Sequence, residues 1–345
     1  MVRRRVGIVG ASGYSGQELC ALLARHCGAE VAAMTSRQYE GMVVGAVLPR
    51  LARYERIACS RFSSPSVSAL LDAGVEVVFL ALPHGMAVQF AIPLLEAGIQ
   101  VIDISADFRL RDSRLYQKFY GMQHPAPHLL LEAVYGLPEW RADAIRSARL
   151  VACPGCYPTS ILLPLLPLLA RKFLQLEFLC IASASGVSGA GRRPEIPLLF
   201  GECSESFRAY GVPQHRHLAE IEQELSLVSR EEMRVCFVPH LLPIHRGLHT
   251  TIFSVPSKDV DATQIQLAWE EDYTQCPFVH ISAVLPDTKH VNRTNLCSLA
   301  IRTDPHTGKL LLFSAIDNLM KGSAGQAIQC FNLMSGFLEK EGLLP

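Results

Sequence analysis

Charge of either sign is not in excess in this 345-residue chain: 32 Lys and Arg balance 32 Asp and Glu. Without a basic surplus there is no global field to gather a nucleic acid, and without an acidic tail there is no solvating segment. No run of roughly 18 apolar residues occurs, so no membrane span is expected. The Leu-rich stretch 161–170 is interrupted by Pro164 and Pro167. Behind Met1-Val-Arg-Arg-Arg5 the apolar run Val6-Gly7-Ile8-Val9 is too short for a signal peptide, and no cleavage pattern follows it. Metal-ligand spacing is lacking too. The 11 cysteines are scattered and include a single CxxC, Cys153 to Cys156, with no second pair and no regularly spaced histidines, so no metal is expected. Free thiols in a reducing cytoplasm fit this usage. Cys20, Cys180, Cys236 and Cys330 lie in apolar or helical runs and read as small core hydrophobes.

What is present is apolar bulk, 49% of residues, enough for two domains. The N-terminal half reads as a nucleotide-binding domain. Val6–Val9 is a short buried strand feeding Gly7-x-x-Gly10-x-x-Gly13-x-x-Gly16, then a helical pattern over 18–26 and a second strand, Val31–Met34. Glycines at such a turn let a diphosphate approach the backbone at a helix N-terminus. Gly10, Ser12, Gly13, Tyr14, Ser15 and Gly16 are therefore candidate cofactor contacts. After the second strand an NAD site usually carries an acid for the ribose hydroxyl; here stand Thr35-Ser36-Arg37. A hydroxyl and a guanidinium suit a 2′-phosphate, so Ser36 and Arg37 point to NADP(H). The apolar run 75–82 reads as a parallel strand buried on both faces, and Pro83, at its end, joins the cofactor candidates. A helix over 87–97 and a strand over 100–104 follow, and beyond them Ser105-Ala-Asp-Phe-Arg109 sits where open parallel sheets hold ligands. Arg109 is placed either to grip an anionic substrate group or to pair with Asp107.

The segment Cys153-Pro-Gly-Cys-Tyr-Pro-Thr-Ser160 ends a strand-like run and opens a Leu-rich one, which puts Cys156 at a strand-to-helix turn. Unpaired N–H groups at a helix N-terminus favour a thiolate, the nucleophilic form of cysteine. Pro158 suits the first helical turn, where no N–H is needed. Further on, 176–183 reads as a strand, the later strands 248–255 and 297–303 alternate more openly, as in a mixed or antiparallel sheet, and 322–338 reads as an amphipathic helix. The small-residue loop Ser185-Gly-Val-Ser-Gly-Ala-Gly-Arg192 allows close approach of a flat ring or a phosphate. For an acid/base partner the best candidate is Gln214-His-Arg-His-Leu-Ala-Glu220. If a helix starts there, His217 and Glu220 share a face, so Glu220 is placed to orient the imidazole. His215 reads as a surface polar residue unless it is the base itself. Arg246 is a further candidate anion ligand. A thiol nucleophile beside a nicotinamide cofactor points to acyl-level reduction or aldehyde oxidation.

Taken together, Gly7-Ile-Val-Gly-Ala-Ser-Gly-Tyr-Ser-Gly16, Ala81-Leu-Pro-His-Gly85, Ser105-Ala-Asp-Phe-Arg-Leu110, Val134-Tyr-Gly-Leu-Pro-Glu139, Pro154-Gly-Cys-Tyr-Pro-Thr159, Ser185 to Arg192, His215-Arg-His217 with Glu220, Pro239-His240 with Arg246-Gly247, and Asp317-Asn-Leu-Met-Lys-Gly322 appear in order over nearly the whole chain. In them the chain resembles the N-acetyl-γ-glutamyl-phosphate reductases of arginine biosynthesis and, more distantly, the aspartate-semialdehyde dehydrogenases. The resemblance implies an α/β fold. A Rossmann-like NADP-binding domain would cover 1–153, completed by a C-terminal helix from 318–345, and a mixed α/β catalytic and dimerisation domain would cover 154–317. It implies a cytoplasmic homodimer or homotetramer with no nucleic-acid or membrane partner. In the implied reaction Cys156 attacks an acyl phosphate, phosphate leaves, and hydride from NADPH reduces the thioester to the semialdehyde. His217 serves as acid/base aided by Glu220; Arg109, Arg246 and His215 face the substrate; Ser188, Gly189 and Asn318 lie near the nicotinamide. Departures from the family pattern are Cys153, where Asn is frequent, Ala219 for a frequent Pro, and Pro164, expected to kink its helix. The rival readings are a reductase of carrier-protein-bound aminoadipyl or glutamyl phosphate, an aspartate-semialdehyde dehydrogenase, and a non-catalytic NADPH-binding redox regulator using Cys153 and Cys156.

Overall fold

The computed structural model describes residues 3–192 and 194–344, so the outermost positions of the expected ranges 1–153 and 318–345 lie outside the described residues. Two compact units are formed, one from Met1–Pro154 with Ser323–Pro345, the other from Gly155–Gly322. The return to the first unit thus falls at Ser323, later than position 318.

The first unit holds a six-stranded sheet in the order β2-β1-β3-β4-β6-β5, parallel throughout. Its strands are β1 (Arg4–Val9), β2 (Ala29–Thr35), β3 (Val77–Leu80), β4 (Gln100–Asp103), β5 (Val134–Tyr135) and β6 (Leu150–Ala152). All four residues of β3 are buried, as a strand covered on both faces requires. Helices α1 (Tyr14–Leu23), α2 (Val88–Glu96) and α3 (Ser113–Tyr120) follow β1, β3 and β4. The strand order reverses at β1, whose neighbours are β2 and β3. In such sheets ligands bind beyond the strand C-termini at that reversal. The C-terminal helix Gly325–Ser335 is buried on every face over Gly325–Met334, where the sequence reads as amphipathic. Two of its polar residues are matched inside the unit. Gln329 donates to Glu139 (2.9 Å), and the Asn332 amide donates to the carbonyls of Glu339 and Glu341 (2.9 Å each).

The second unit is built on a mixed seven-stranded sheet, order β11-β12-β13-β10-β7-β9-β8. The strands are β7 (Leu174–Gly186), β8 (Arg208–Ala209), β9 (Cys236–Leu242), β10 (Leu248–Pro256), β11 (Val279–Ile281), β12 (Cys297–Thr303) and β13 (Leu310–Ile316). β7 pairs parallel with β9 and antiparallel with β10, which pairs antiparallel with β13. One face of β7 and β10 packs under the helix α4 (Cys156–Ala170), against which α5 (His217–Ser229) and α6 (Ala262–Asp272) lie. The other face carries Phe178 and Phe253, 36% and 40% exposed. Cys180 is half-buried and Cys236, first residue of β9, is exposed, so these two are not core residues; Cys20 and Cys330 are. Apolar neighbours in sequence do not tell which face of a strand a side chain takes.

Helix α4 runs through Pro164 and Pro167 without a break. Each proline removes the N–H that would reach the carbonyl four residues back. For Pro164 that carbonyl is Ser160, and the Ser314 hydroxyl donates to it at 2.6 Å; for Pro167 it is Leu163, and the Tyr273 hydroxyl donates to it at 2.5 Å. Leaving a buried carbonyl without a donor costs about 1–3 kcal/mol, and these hydroxyls remove that cost. The helix is therefore continuous where a kink is expected from its sequence.

Candidate active site

The first unit presents a glycine turn at the head of α1. Gly10 has φ +86°, and a Cβ there would meet the Ala81 carbonyl oxygen at 2.3 Å. A Cβ on Gly16 would meet the Gly10 carbonyl oxygen at 2.3 Å, so the helix packs against its own entry turn only because no side chain intervenes. Gly13 is the N-cap residue, in extended backbone with no side-chain cap, and Tyr14 begins the helix. The N-cap residue brings no side chain to the first amides of α1, an arrangement that suits a phosphate. The Ser12 and Ser36 hydroxyls are 2.9 Å apart, joining the glycine turn to the end of β2. Ser36 is buried, and the next residue, Arg37, is exposed. The cradle, the hydroxyl and the guanidinium fit a dinucleotide with a 2′-phosphate. Ser15 is tied instead to Ser323, 2.9 Å between hydroxyls.

Pro83 lies just past β3, in a loop held by a residue that the sequence reading treated only as a possible partner of Arg109. Asp107 is fully buried and accepts from the amides of Gly85 (2.6 Å) and Ala87 (2.8 Å) and from the Tyr116 hydroxyl (3.1 Å). Asp103, also fully buried, accepts from the Ser105 amide and hydroxyl, 2.9 Å each; burial, together with the Asp107 charge, pushes its pKa up to about 7. Arg109 is 8% exposed. Its Nε donates to the Cys153 carbonyl (2.8 Å) and its Nη2 to the Ile104 carbonyl (2.9 Å), so it braces the ends of β4 and β6. Cys153 is fully buried.

In the second unit Cys156 is the first residue of α4, half-buried, behind the N-cap Gly155, which brings no side-chain cap. A Cβ on Gly155 would lie 2.3 Å from His217 Nε2, so any side chain there would displace the ring. The His217 ring is thus seated over the residue that precedes Cys156. On the other side, a Cβ on Gly322 would lie 2.7 Å from Cys156 Cβ, so the backbone of the π-helical turn Met320–Ala324 walls the nucleophile.

His217 opens α5, and Glu220, 1% exposed, is in its first turn. Glu220 Oε1 accepts from the Gly155 amide at 2.9 Å. Glu220 therefore fixes the N-cap of the nucleophile's helix. His215 is not a surface residue. Its ring makes edge contacts with Tyr157, Tyr210 and Phe237, and its Nδ1 accepts from the His217 amide at 3.1 Å. Burial, with Arg216 adding to it, pushes its pKa down to about 4, so the ring is neutral and able to accept. A depressed histidine stabilises the fold above its unfolded pKa of about 6.5, and this contribution is lost as pH falls from there towards 4. Tyr157 donates to the His240 carbonyl (3.2 Å) and accepts from the Tyr210 hydroxyl (2.9 Å).

Arg246 forms an ion pair with fully buried Asp317, Nη1 to Oδ2, at 3.4 Å. Asn318 accepts from the Gly247 amide and donates to the Ser188 hydroxyl, 2.9 Å each, bracing the turn Val187–Ala190 that holds Ser188 and Gly189. Asp317 and Tyr210 are not among the side chains expected at the site, and Asp107 is expected only as a possible partner of Arg109. The signal for the two acids lay in their motifs, Ser105-Ala-Asp-Phe-Arg109 and Asp317-Asn-Leu-Met-Lys-Gly322.

Known proteins share this plan. Residues 5–148 match the profile described as semialdehyde dehydrogenase, NAD binding domain, and residues 156–318 that of semialdehyde dehydrogenase, dimerisation domain. An N-acetyl-gamma-glutamyl-phosphate reductase of Akkermansia muciniphila is 49% identical over 345 residues, covering 99% of each chain. Its namesake in Moorella thermoacetica is 45% identical over 348 residues, again 99% of each. Aspartate semialdehyde dehydrogenase II of Vibrio cholerae, solved complexed with ASA, superposes with a TM-score of 0.72 at 17% identity, covering 97% of this chain and 99% of that one. The Candida albicans aspartate semialdehyde dehydrogenase, solved with NADP, gives 0.68 at 16% identity, covering 96% and 98%. At that identity the likeness is one of fold.

Proposed function

This chain belongs to the N-acetyl-γ-glutamyl-phosphate reductases of the semialdehyde dehydrogenase family, and from that membership we propose that it reduces N-acetyl-L-glutamyl 5-phosphate to N-acetyl-L-glutamate 5-semialdehyde and phosphate, with NADPH as reductant, in arginine biosynthesis. The observation that carries the reading is the helix-tip Cys156 with the His217 ring seated over Gly155. The test is the reverse reaction: with the semialdehyde, phosphate and NADP+, NADPH absorbance should rise. A pure, folded protein that gives no NADPH under these conditions would sink the reading.

In this mechanism the Cys156 thiolate, favoured by the amides at the start of α4, attacks the acyl carbon; the C–S bond forms as the C–O bond to phosphate breaks. Bound NADPH supplies the hydride that brings the thioester to the aldehyde level. His217 donates a proton to the oxygen of the reduced carbon and takes it back as the C–S bond breaks and aldehyde leaves. Arg246 offers a guanidinium to a substrate anion, and the brace that Arg109 forms keeps the Cys153 carbonyl, three residues before the nucleophile, in place. In the first unit the glycine turn of 10–16 would hold the cofactor's diphosphate, and Ser36 and Arg37 its 2′-phosphate. Arg37→Ala should therefore raise the KM for NADPH by about tenfold or more, the worth of one charge-assisted contact, and leave that for NADH nearly unchanged. Equal effects on both would remove the 2′-phosphate role.

Copies of the chain associate through the second unit as a homodimer, or as a homotetramer built from it. Support comes from the open face of its sheet, where Phe178 and Phe253 stand beside Leu311 and Phe313, both part-exposed, on β13. An apolar sheet face of this kind is uncommon on a monomer. Phe253→Glu should shift sedimentation towards the monomer; an unchanged profile would place the contact elsewhere. No helix among the described residues is long and apolar enough to cross a membrane. We place the reaction in the cytoplasm, where NADPH and reduced thiols are available.

A further inference from the structure

We propose that Asp317 is a positioning residue for the substrate's anionic group, acting through Arg246. The inference rests on the reading of the reaction given above and adds a residue to it. Asp317 follows β13 and is fully buried. Burying a carboxylate is costly unless donors surround it. Here Oδ1 accepts from the amides of Leu319 (2.7 Å) and Met320 (3.2 Å), while Oδ2 accepts from the Arg293 amide (2.7 Å) and faces Arg246 Nη1 (3.4 Å). The two amides on Oδ1 need only one oxygen, which Asn also carries. What a carboxylate adds is the second oxygen, which takes the Arg293 amide and faces the Arg246 cation.

Everything around Arg246 is held in the same way. Asn292 donates to its carbonyl at 3.3 Å, and the amide of the next residue, Gly247, donates to Asn318 at 2.9 Å. Arg293, whose amide Asp317 accepts, has φ +65°, a left-handed backbone that a non-glycine residue keeps only where its surroundings enforce it. The Arg246 side chain is 11% exposed. A pair at 3.4 Å is long for a charge-assisted contact. Asp317 still anchors Arg246 at Nη1, and a guanidinium fixed there is placed to meet a phosphate or carboxylate. The same carboxylate also caps the start of the turn whose Gly322 abuts Cys156. A purely structural staple would serve that turn alone, so the test has to separate the two roles.

Asp317→Asn does so, because its remaining oxygen still serves Leu319 and Met320 while its NH2 faces Arg246 and the Arg293 amide. In the reverse assay the KM for phosphate or for the semialdehyde should rise about tenfold, with kcat within about threefold and the KM for NADP+ unchanged. In an Arg246→Gln background the same change should add nothing further, since its partner is already gone. The concentration of inorganic phosphate that half-protects Cys156 from iodoacetamide should also rise about tenfold, a readout that needs no turnover. Unchanged anion KM and protection, effects that multiply with Arg246→Gln, or a matching rise in the NADP+ KM would each overturn the proposal. Should Asp317→Asn fail to fold, Asp317→Glu, which keeps the charge but displaces it, carries the same expectations at smaller amplitude and the same refutations. A wild type that is protected by phosphate yet gives no turnover would refute the assigned reaction and leave this role of Asp317 standing.

Discussion

Changing Cys156 to serine should lower turnover by on the order of 10⁴-fold or more while NADPH still binds, the scale on which removing a covalent nucleophile acts. The reason lies in what the start of α4 does for sulfur and not for oxygen. The amides at the start of α4 favour the thiolate over the thiol. A serine hydroxyl is far more basic and gains no useful anion from the same field. The change is nearly isosteric, and Cys156 is half-buried beside Gly155 and Gly322, so the fold should be retained. Stopped-flow absorbance measures the hydride step, and NADPH fluorescence titration measures binding. The informative control is Cys153→Ser. Cys153 is fully buried, and the Arg109 brace uses its carbonyl, not its thiol, so turnover should survive that change. An active Cys156→Ser beside an inactive Cys153→Ser would show that the nucleophile is misassigned.

Much of the framework was legible from local pattern, and the reason is physical. A parallel strand buried on both faces must be apolar without alternation, so β3 announced itself, and the glycine turn between β1 and α1 left a spacing that few other structures need. Features that depend on partners distant in sequence were not legible. Continuity of α4 through Pro164 and Pro167 rests on hydroxyls of Ser314 and Tyr273, far along the chain. The C-terminal helix looks amphipathic because its Gln and Asn residues are polar, yet they are buried against partners that only the fold supplies. Glu220 shows the same limit inside the site. Its spacing from His217 says nothing of the further contact that its carboxylate makes with the Gly155 amide. The exposed thiol of Cys236 and the neutral cap formed by His215 are further cases in which residue type was readable and surroundings were not.

Replacing His217 with asparagine should lower kcat by about 10²- to 10⁴-fold, the range of a lost general acid/base, with a smaller effect on substrate KM. Asparagine keeps a polar side chain at the head of α5 but cannot exchange a proton near neutral pH. The neighbouring changes separate this role from packing. In Glu220→Gln an amide oxygen can still accept from Gly155, so α4 keeps its N-cap contact while the local charge is lost. Its kcat should fall less than that of His217→Asn. His215→Asn removes the ring that accepts from the His217 amide and packs among Tyr157, Tyr210 and Phe237. That loss should appear mainly as a lower melting temperature, with kcat following only as far as the start of α5 is disturbed. If His215→Asn abolished turnover at full stability while His217→Asn remained active, the acid/base assignment would have to be exchanged between the two. The geometry argues against that exchange. The His215 Nδ1 already accepts a backbone amide, and its pKa of about 4 leaves it a poor proton donor at neutral pH, whereas Nε2 of His217 lies over the residue that presents the thiolate.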